Sequence, residues 1–227
     1  MRLRACNRIR GTGKLPFQLY FNLNLFNLNS GSTCVSVLTM GRKIFTANVG
    51  DSRGIVINTL QEGAPGYDPN NPNLNCGTQP LTRDHKPDDA DEAERIIKNN
   101  GRIDSYRDQQ GNPLGPLRVW LKNEDVPGLA MTRSFGDTVA HSVGCNADPE
   151  MGEYSFSKDD KVVVIASDGV WEFLENIDVA RIVYPFYLQK NAEGAAENLV
   201  RASFKRWRKE ESVIDDITCI VIFLDVK

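Results

Sequence analysis

Lys161-Val-Val-Val-Ile-Ala-Ser-Asp168-Gly169-Val-Trp171-Glu172 is the stretch around which the rest of the sequence organises. It reads as an apolar strand that delivers a carboxylate at its end, into a glycine turn. A second apolar strand, Ile217 to Leu224, is preceded by Asp215-Asp216, so two strands each carry acid at one end. A third case is Lys43-Ile-Phe-Thr-Ala-Asn-Val-Gly50-Asp51, where alternating apolar residues run into a Gly-Asp pair. One such turn means little, because Asp and Gly are ordinary turn residues. Three together imply an oxygen-only site for a hard cation of the Mg²⁺ or Mn²⁺ type.

With 227 residues, 41% of them apolar, the chain can form one sizeable core, and a single domain is the default. The formal net charge of -3 gives no sign of a nucleic-acid partner, although no acidic residue occurs before Asp51. Five cysteines without a C-x-x-C pair argue against a disulfide framework and against a zinc ribbon. Cys34 and Cys219 fall in apolar strands, where small core residues are expected. A reducing setting, cytosol or nucleus, fits this usage. No apolar run approaches the roughly 20 residues needed to cross a bilayer, so no membrane insertion is expected.

Residues 1–29 differ from the rest. Arg2, Arg4, Arg8, Arg10 and Lys14 precede the Asn-rich stretch Phe21-Asn-Leu-Asn-Leu-Phe-Asn-Leu-Asn29. An organelle presequence would be Arg-rich and acid-poor but helical, whereas an edge strand would alternate as this stretch does. A third reading, a misplaced start with the true N-terminal part missing, is the one favoured. From Thr33 the pattern becomes regular, with strands over 33–39, 43–49 and 53–58 that read as an antiparallel meander. Residues 63–80 read as an exposed Pro, Asn and Gly-rich loop. Pro87 with Asp88 and Asp89 opens a helix through Ile96 and Ile97, ended by Asn99, Asn100 and Gly101. Residues 102–160 show little periodicity and read as a long irregular stretch. Helices follow over about 176–189 and 192–208, the second with Ala196, Leu199, Val200 and Trp207 on one face. Runs of strands with helices between them imply an α+β layered fold.

Taken together, Ser30-Gly-Ser-Thr33, Ala47-Asn-Val-Gly-Asp-Ser-Arg53, Leu81-Thr-Arg-Asp-His-Lys-Pro87, Pro127-Gly-Leu-Ala-Met-Thr-Arg-Ser-Phe-Gly-Asp137, Ala166-Ser-Asp-Gly-Val-Trp-Glu172 and Asp215-Asp-Ile-Thr218 carry a resemblance. In that order they resemble the PP2C, or PPM-type, protein phosphatases, and Gly115-Pro-Leu-Arg-Val-Trp-Leu121 is similar to the subgroup common in plants and protists. The resemblance implies a β-sandwich flanked by α-helices, N-terminally truncated here, with residues 30–227 a partial phosphatase domain and 1–29 outside it. It implies hydrolysis of phosphoserine and phosphothreonine in a phosphoprotein substrate by water activated at a dinuclear Mn²⁺ or Mg²⁺ site. A monomer without nucleic-acid or membrane partners is expected.

By the same resemblance Asp168 and Asp215 are direct ligands of the metal pair, and Asp51 and Glu172 match positions linked to a weaker third metal. Glu172 stands where many relatives have Asp, and Asp216 where many have Asn. The plainer reading of Asp51 is hairpin chemistry in Gly-Asp-Ser. Arg133 and Asp137 read as a salt bridge tying their loop, and His85, beside Pro87 at a helix start, reads as structural. Two motifs that the family carries toward its N-terminus, an Arg followed by Glu-Asp and an Asp-Gly-His-Gly turn, do not occur in that part of this sequence. They supply the phosphate-binding Arg, the metal-bridging Asp and a His proposed as general acid. Two dications about 4 Å apart repel by roughly 16 kcal/mol at an effective dielectric near 20, which a bridging carboxylate offsets. Without it, at most one weakly held metal and much reduced activity are expected. The alternative is a non-catalytic pseudophosphatase that binds a partner or phosphoprotein.

Overall fold

A computed structural model describes the backbone of residues 6–8 and all of residues 30–224. The presequence and edge-strand readings of the N-terminal segment lie outside the described residues. In chain order the first strands are β1 (Cys6–Arg8), β2 (Gly31–Ser32), β3 (Cys34–Met40), β4 (Lys43–Val49), β5 (Arg53–Thr59) and β6 (Cys76–Pro80). Helix α1 (Ala90–Lys98) leads into β7 (Gly101–Arg107), β8 (Pro113–Leu121), β9 (Pro127–Leu129) and β10 (Phe135–Gly136). The short α2 (Thr138–His141), β11 (Glu150–Ser155), β12 (Asp160–Ala166) and α3 (Asp168–Trp171) follow, then α4 (Asn176–Leu188), α5 (Ala192–Glu210) and β13 (Thr218–Phe223).

Two sheets face each other. One has the order β1-β13-β12-β5-β6 and the other β11-β4-β3, all neighbours antiparallel. Alternate residues of the same strands build separate layers, as the two-residue period of a strand requires. Val163 of β12 and Val56 of β5 meet Ile44 of β4 between the sheets. Val162, Val164, Ile55 and Ile57 point the other way, into a larger core closed by α4 and α5 through Val179, Val183, Leu199 and Val200. The unbroken Val-Val-Val-Ile run therefore reflects a strand covered on both faces. The helical face read from the sequence is present: Ala196, Leu199 and Val200 are buried, and Trp207 packs against the same core.

Four expectations need correction. The strands over 33–39, 43–49 and 53–58 do not form a meander: β3 pairs with β4, but β5 belongs to the opposite sheet. The corner between β4 and β5 crosses the sandwich at Gly50, whose φ is 103°, and a Cβ there would lie 2.3 Å from Thr33 Cγ2. Only glycine fits a left-handed backbone in such close quarters. Residues 63–80 are not all loop, since Pro72–Leu74 form a 3₁₀ turn and β6 pairs with β5, burying Cys76. Strand β6 escapes a reading by alternation because Gly77, Thr78 and Gln79 present little apolar character. Residues 102–160 hold a three-stranded sheet, β7-β8-β9, joined at a tight Asp108–Asn112 turn that the Asp108 carboxylate caps. Finally, Cys219 is a core residue as expected, but Cys34 is exposed. It sits on the outward face of β3 with Leu38 and Met40, near Met151 of β11.

One polar knot joins these pieces. Glu92 of α1 has no solvent exposure and receives both guanidinium nitrogens of Arg95, at 2.8 and 2.7 Å. Arg133 donates to it at 2.6 Å and Thr132 through its hydroxyl. Arg133 thus pairs with Glu92 and not with Asp137, which corrects the expected salt bridge. Arg95 also donates to the carbonyls of Thr132 and Gly144, and Arg133 to that of Asp148. Burial alone would push the Glu92 carboxyl up, but hydrogen bonds from Arg95, Arg133 and Thr132 hold it well below the ordinary value of 4.5. Glu92→Ala leaves two guanidiniums facing an uncompensated site and should cost about 3–5 kcal/mol in urea unfolding. A depressed carboxyl contributes stability that is fully present above about pH 4.5 and is lost as pH falls. Wild-type stability should therefore drop in acid below that pH, and Glu92→Ala should flatten the dependence.

Candidate functional site

Asp168 is placed by its strand. β12 ends at Ala166, Ser167 is extended, and Asp168 opens the single turn of α3 with its carbonyl accepting from the Glu172 amide at 2.9 Å. Two tryptophans brace this turn: Trp171 Nε1 donates to Ala166 O at 2.9 Å and Trp207 Nε1 to Gly169 O at 2.8 Å. The start of β13 is stitched alongside. Ser167 N donates to Thr218 O at 3.0 Å and Thr218 N to Ser167 Oγ at 3.2 Å. A Cβ at position 169 would fall 2.4 Å from Asp216 O, so glycine is what lets the two strand ends approach. Asp215 is thereby held beside Asp168, its own Oδ1 accepting from the Asp216 amide at 2.7 Å.

Asp51 arrives from the corner where the chain passes from one sheet to the other, just before β5. It sits at the β4–β5 corner, 3% exposed, and its Oδ2 accepts from Lys86 Nζ at 2.5 Å. The corner is pinned from below by His85, which is fully buried. His85 Nδ1 accepts from the Gly50 amide at 3.0 Å, while the His85 amide donates to Gly50 O at 3.1 Å. That acceptor role fixes the neutral tautomer with its proton on Nε2. Burial, then the Arg133 charge, lowers the pKa of the ring below its ordinary 6.5. His85 is thus structural, as read from the sequence. Ser52 Oγ and Thr33 Oγ1 lie 2.9 Å apart, and the Asp137 amide donates to Ser30 O at 2.9 Å. The Ser30–Thr33 motif therefore binds together the Asp51 corner and the 127–137 motif.

All four acids expected at the metal site, Asp51, Asp168, Glu172 and Asp215, line one cleft of about 690 Å³. Glu172 and Asp215 are exposed on its rim, and Asp216 is not among the lining residues. The cleft is also lined by Pro116, Leu117 and Arg118 of β8, by Met131, and by Phe173 and Trp207. Arg118 Nη1 donates to Gly128 O at 2.7 Å, and its guanidinium lies 4.9 Å from the Tyr106 ring centroid. The Asp168 carboxyl is pushed up to about 6, first by burial and then by the charges of Asp51 and Asp215, with Lys86 pulling the other way. These three carboxylates are close enough to feel one another and lack sufficient positive charge around them.

An oxygen-only acid set with unneutralised charge fits a hard dication in donor type and in sign. The fit is partial, since among the described residues no three His, Cys, Asp or Glu side chains stand as a ready ligand group. Sequence reasoning missed Lys86 as the partner of Asp51. It lay inside a quoted motif, but pairing across 35 positions leaves no trace in spacing.

The Protein phosphatase 2C family profile matches residues 19–211. A probable protein phosphatase 2C of rice, Oryza sativa subsp. japonica, is 37% identical over 200 residues, covering 87% of this chain and 43% of that protein. One from Arabidopsis thaliana is 36% identical over 200 residues, covering 87% and 56%. The chain thus spans about half the length of these plant relatives. The crystal structure of a serine-threonine phosphatase 2C from Toxoplasma gondii superposes with a TM-score of 0.69 at 20% identity, over 86% of this chain and 58% of the other. That likeness is one of fold, and it is the sandwich described above. A profile spanning most of the residues, with relatives 36–37% identical over 87% of the chain, places it in the protein phosphatase 2C family, whose members are metal-dependent protein serine/threonine phosphatases.

Proposed function

We propose that this chain forms part of the active site of a protein serine/threonine phosphatase, with phosphoserine and phosphothreonine of a phosphoprotein as substrate and Mn²⁺ or Mg²⁺ as cofactor. One observation carries the reading: Asp51, Asp168, Glu172 and Asp215, drawn from distant parts of the chain, share a cleft in which Asp168 is perturbed by burial and by its acidic neighbours. Asp168 and Asp215 would hold the principal ions, and Asp51 and Glu172 a further one. A dication bound there supplies a nucleophilic water at neutral pH and offsets charge on the phosphoryl oxygens.

The chain's own residues do the positioning. Trp171 and Trp207 fix the Asp168 turn through backbone carbonyls, which holds the carboxylate at the strand end. Pro116, Leu117 and Arg118 would give the substrate segment an apolar wall with one cation in the same cleft. A cytosolic or nuclear setting is proposed on the cysteine usage. No helix among the described residues is long and apolar enough to cross a membrane.

A second reading, a phosphoprotein-binding module without turnover, is favoured by the incomplete ligand group. Hydrolysis of a phosphothreonine peptide by the purified chain with Mn²⁺, and its loss with chelator, separates the two; peptide binding without turnover supports the module. Where turnover is seen, Asp168→Asn and Asp215→Asn should each lower kcat/KM by more than about 100-fold, since residues that only orient ligands already cost 10–100-fold.

The raised carboxyl also sets a pH dependence in the metal-free protein. Between the ordinary value of 3.8 and about 6, folded Asp168 keeps a proton that the unfolded chain has released. Stability from this group therefore falls as pH rises through that window. At pH 7 and without metal, Asp168→Asn should be more stable than wild type by about 1–2 kcal/mol after solvent screening, read by thermal or urea unfolding.

A further inference from the structure

The Lys86–Asp51 pair differs from an ordinary surface ion pair in how firmly both ends are held. Asp51 is 4% exposed at its side chain and Lys86 31%, with 2.5 Å between Nζ and Oδ2. The backbone on either side of Lys86 is fastened to the Asp51 corner. Asn48 Nδ2 donates to Arg83 O at 2.7 Å and to Gly50 O at 3.1 Å, and His85 exchanges hydrogen bonds with Gly50. His85 O accepts from the Thr132 amide at 2.9 Å, and Pro87 is buried. The ammonium is delivered to the carboxylate from a strap whose backbone is fastened on both sides. Its charge also reaches Asp168. Of the residues lining the cleft, Lys86 and Arg118 are the cations, and Arg118 is turned to Gly128 O and the Tyr106 ring.

We propose that Lys86 is the resident cation of the acid cleft: it occupies Asp51 Oδ2 and competes with a divalent ion for that carboxylate, so it must give up Oδ2 before the ion can use that oxygen. The proposal rests on the metal-binding reading of the cleft. A carboxylate oxygen in contact with an ammonium cannot take a dication at the same place, because like charges at that separation repel strongly in a partly buried site. Competition between the two cations is a coupling, and it is reciprocal: whatever factor Lys86 takes from metal affinity, metal takes from the ion pair. The cleft would then bind divalent ions more weakly at the Asp51 corner than its acid content implies.

The test is Mn²⁺ titration calorimetry on the whole chain as wild type, Lys86→Met, Lys86→Arg and the double variant Lys86→Met/Asp51→Asn. Lys86→Met should bind Mn²⁺ roughly tenfold tighter than wild type. Lys86→Arg, which keeps the charge, should stay near wild type, and the double variant should lose the gain. Equal or weaker binding by Lys86→Met overturns the proposal while leaving the metal site standing. No Mn²⁺ binding by either protein overturns both. Should Lys86→Met fail to fold, wild-type protein gives the same answer by amine acylation and mass spectrometry. Lys86 should gain reactivity on Mn²⁺ addition while Lys98, on the exposed face of α1, does not; unchanged Lys86 labelling overturns the proposal.

Discussion

A carboxylate without solvent exposure is the constraint on which this half of the fold turns. Glu92 can remain ionised in the interior only because Arg95, Arg133 and Thr132 meet its oxygens. Satisfying it fixes much else. Arg95 and Arg133 spend their remaining donors on the carbonyls of Thr132, Gly144 and Asp148, so α1, the 130–134 segment and the approach to β11 are held in one arrangement. The amide of Thr132 in turn holds His85 O, and His85 holds the Gly50 corner that presents Asp51. A buried charge remote from the acids thus sets where one of them stands.

The sandwich supplies the other half of that placement. Strands β5 and β12 are covered on both faces, so their ends are the natural places for polar groups to emerge. Asp51 and Asp168 lie at such ends, and Asp215 leads into the neighbouring β13. Pairing of β5 with β12, Arg53 opposite Ala166, and of β12 with β13 brings the Asp51 corner, the Asp168 turn and the Asp215 approach to one end of the same sheet. The apolar interior and the acid cleft are two consequences of the same strand pairing.

Where the sequence was legible, local physics was sufficient. The Asp168 strand, the Lys43–Val49 strand, α1 with its Asn-Asn-Gly stop, and the apolar stripe of α5 each announce themselves within a few residues. The meander was misread because hairpin turns and sandwich corners use the same Gly-Asp-Ser chemistry, and only the burial of β5 on both faces tells them apart. Strand β6 and the β7–β9 sheet lacked alternation, being built of polar, Gly and Pro residues with aromatic contacts such as Tyr106 on Trp120. The acids were found because motif order is sequential. Ion-pair partners were not, since Asp51 meets Lys86 and Arg133 meets Glu92 only through tertiary folding. Arg133 shows the limit most plainly: its carboxylate was expected four residues away and lies 41 positions away on another element.

The cleft also departs from what stability alone would select. Six carboxylates, Asp51, Asp88, Asp168, Glu172, Glu211 and Asp215, line it against Lys86 and Arg118. A core optimised for the metal-free fold would have replaced some of those acids by amides at no cost in packing. Instead the fold tolerates the repulsion by three separate means: Lys86 neutralises Asp51, Asp168 gives ground toward its protonated form, and Asp215 stays at the solvent edge. On the proposed metal-binding reading each of these is reversible by an incoming cation, whereas a mutation to asparagine is not. Unneutralised acid kept at the expense of stability supports the proposed cation-binding reading of the cleft over a purely structural one.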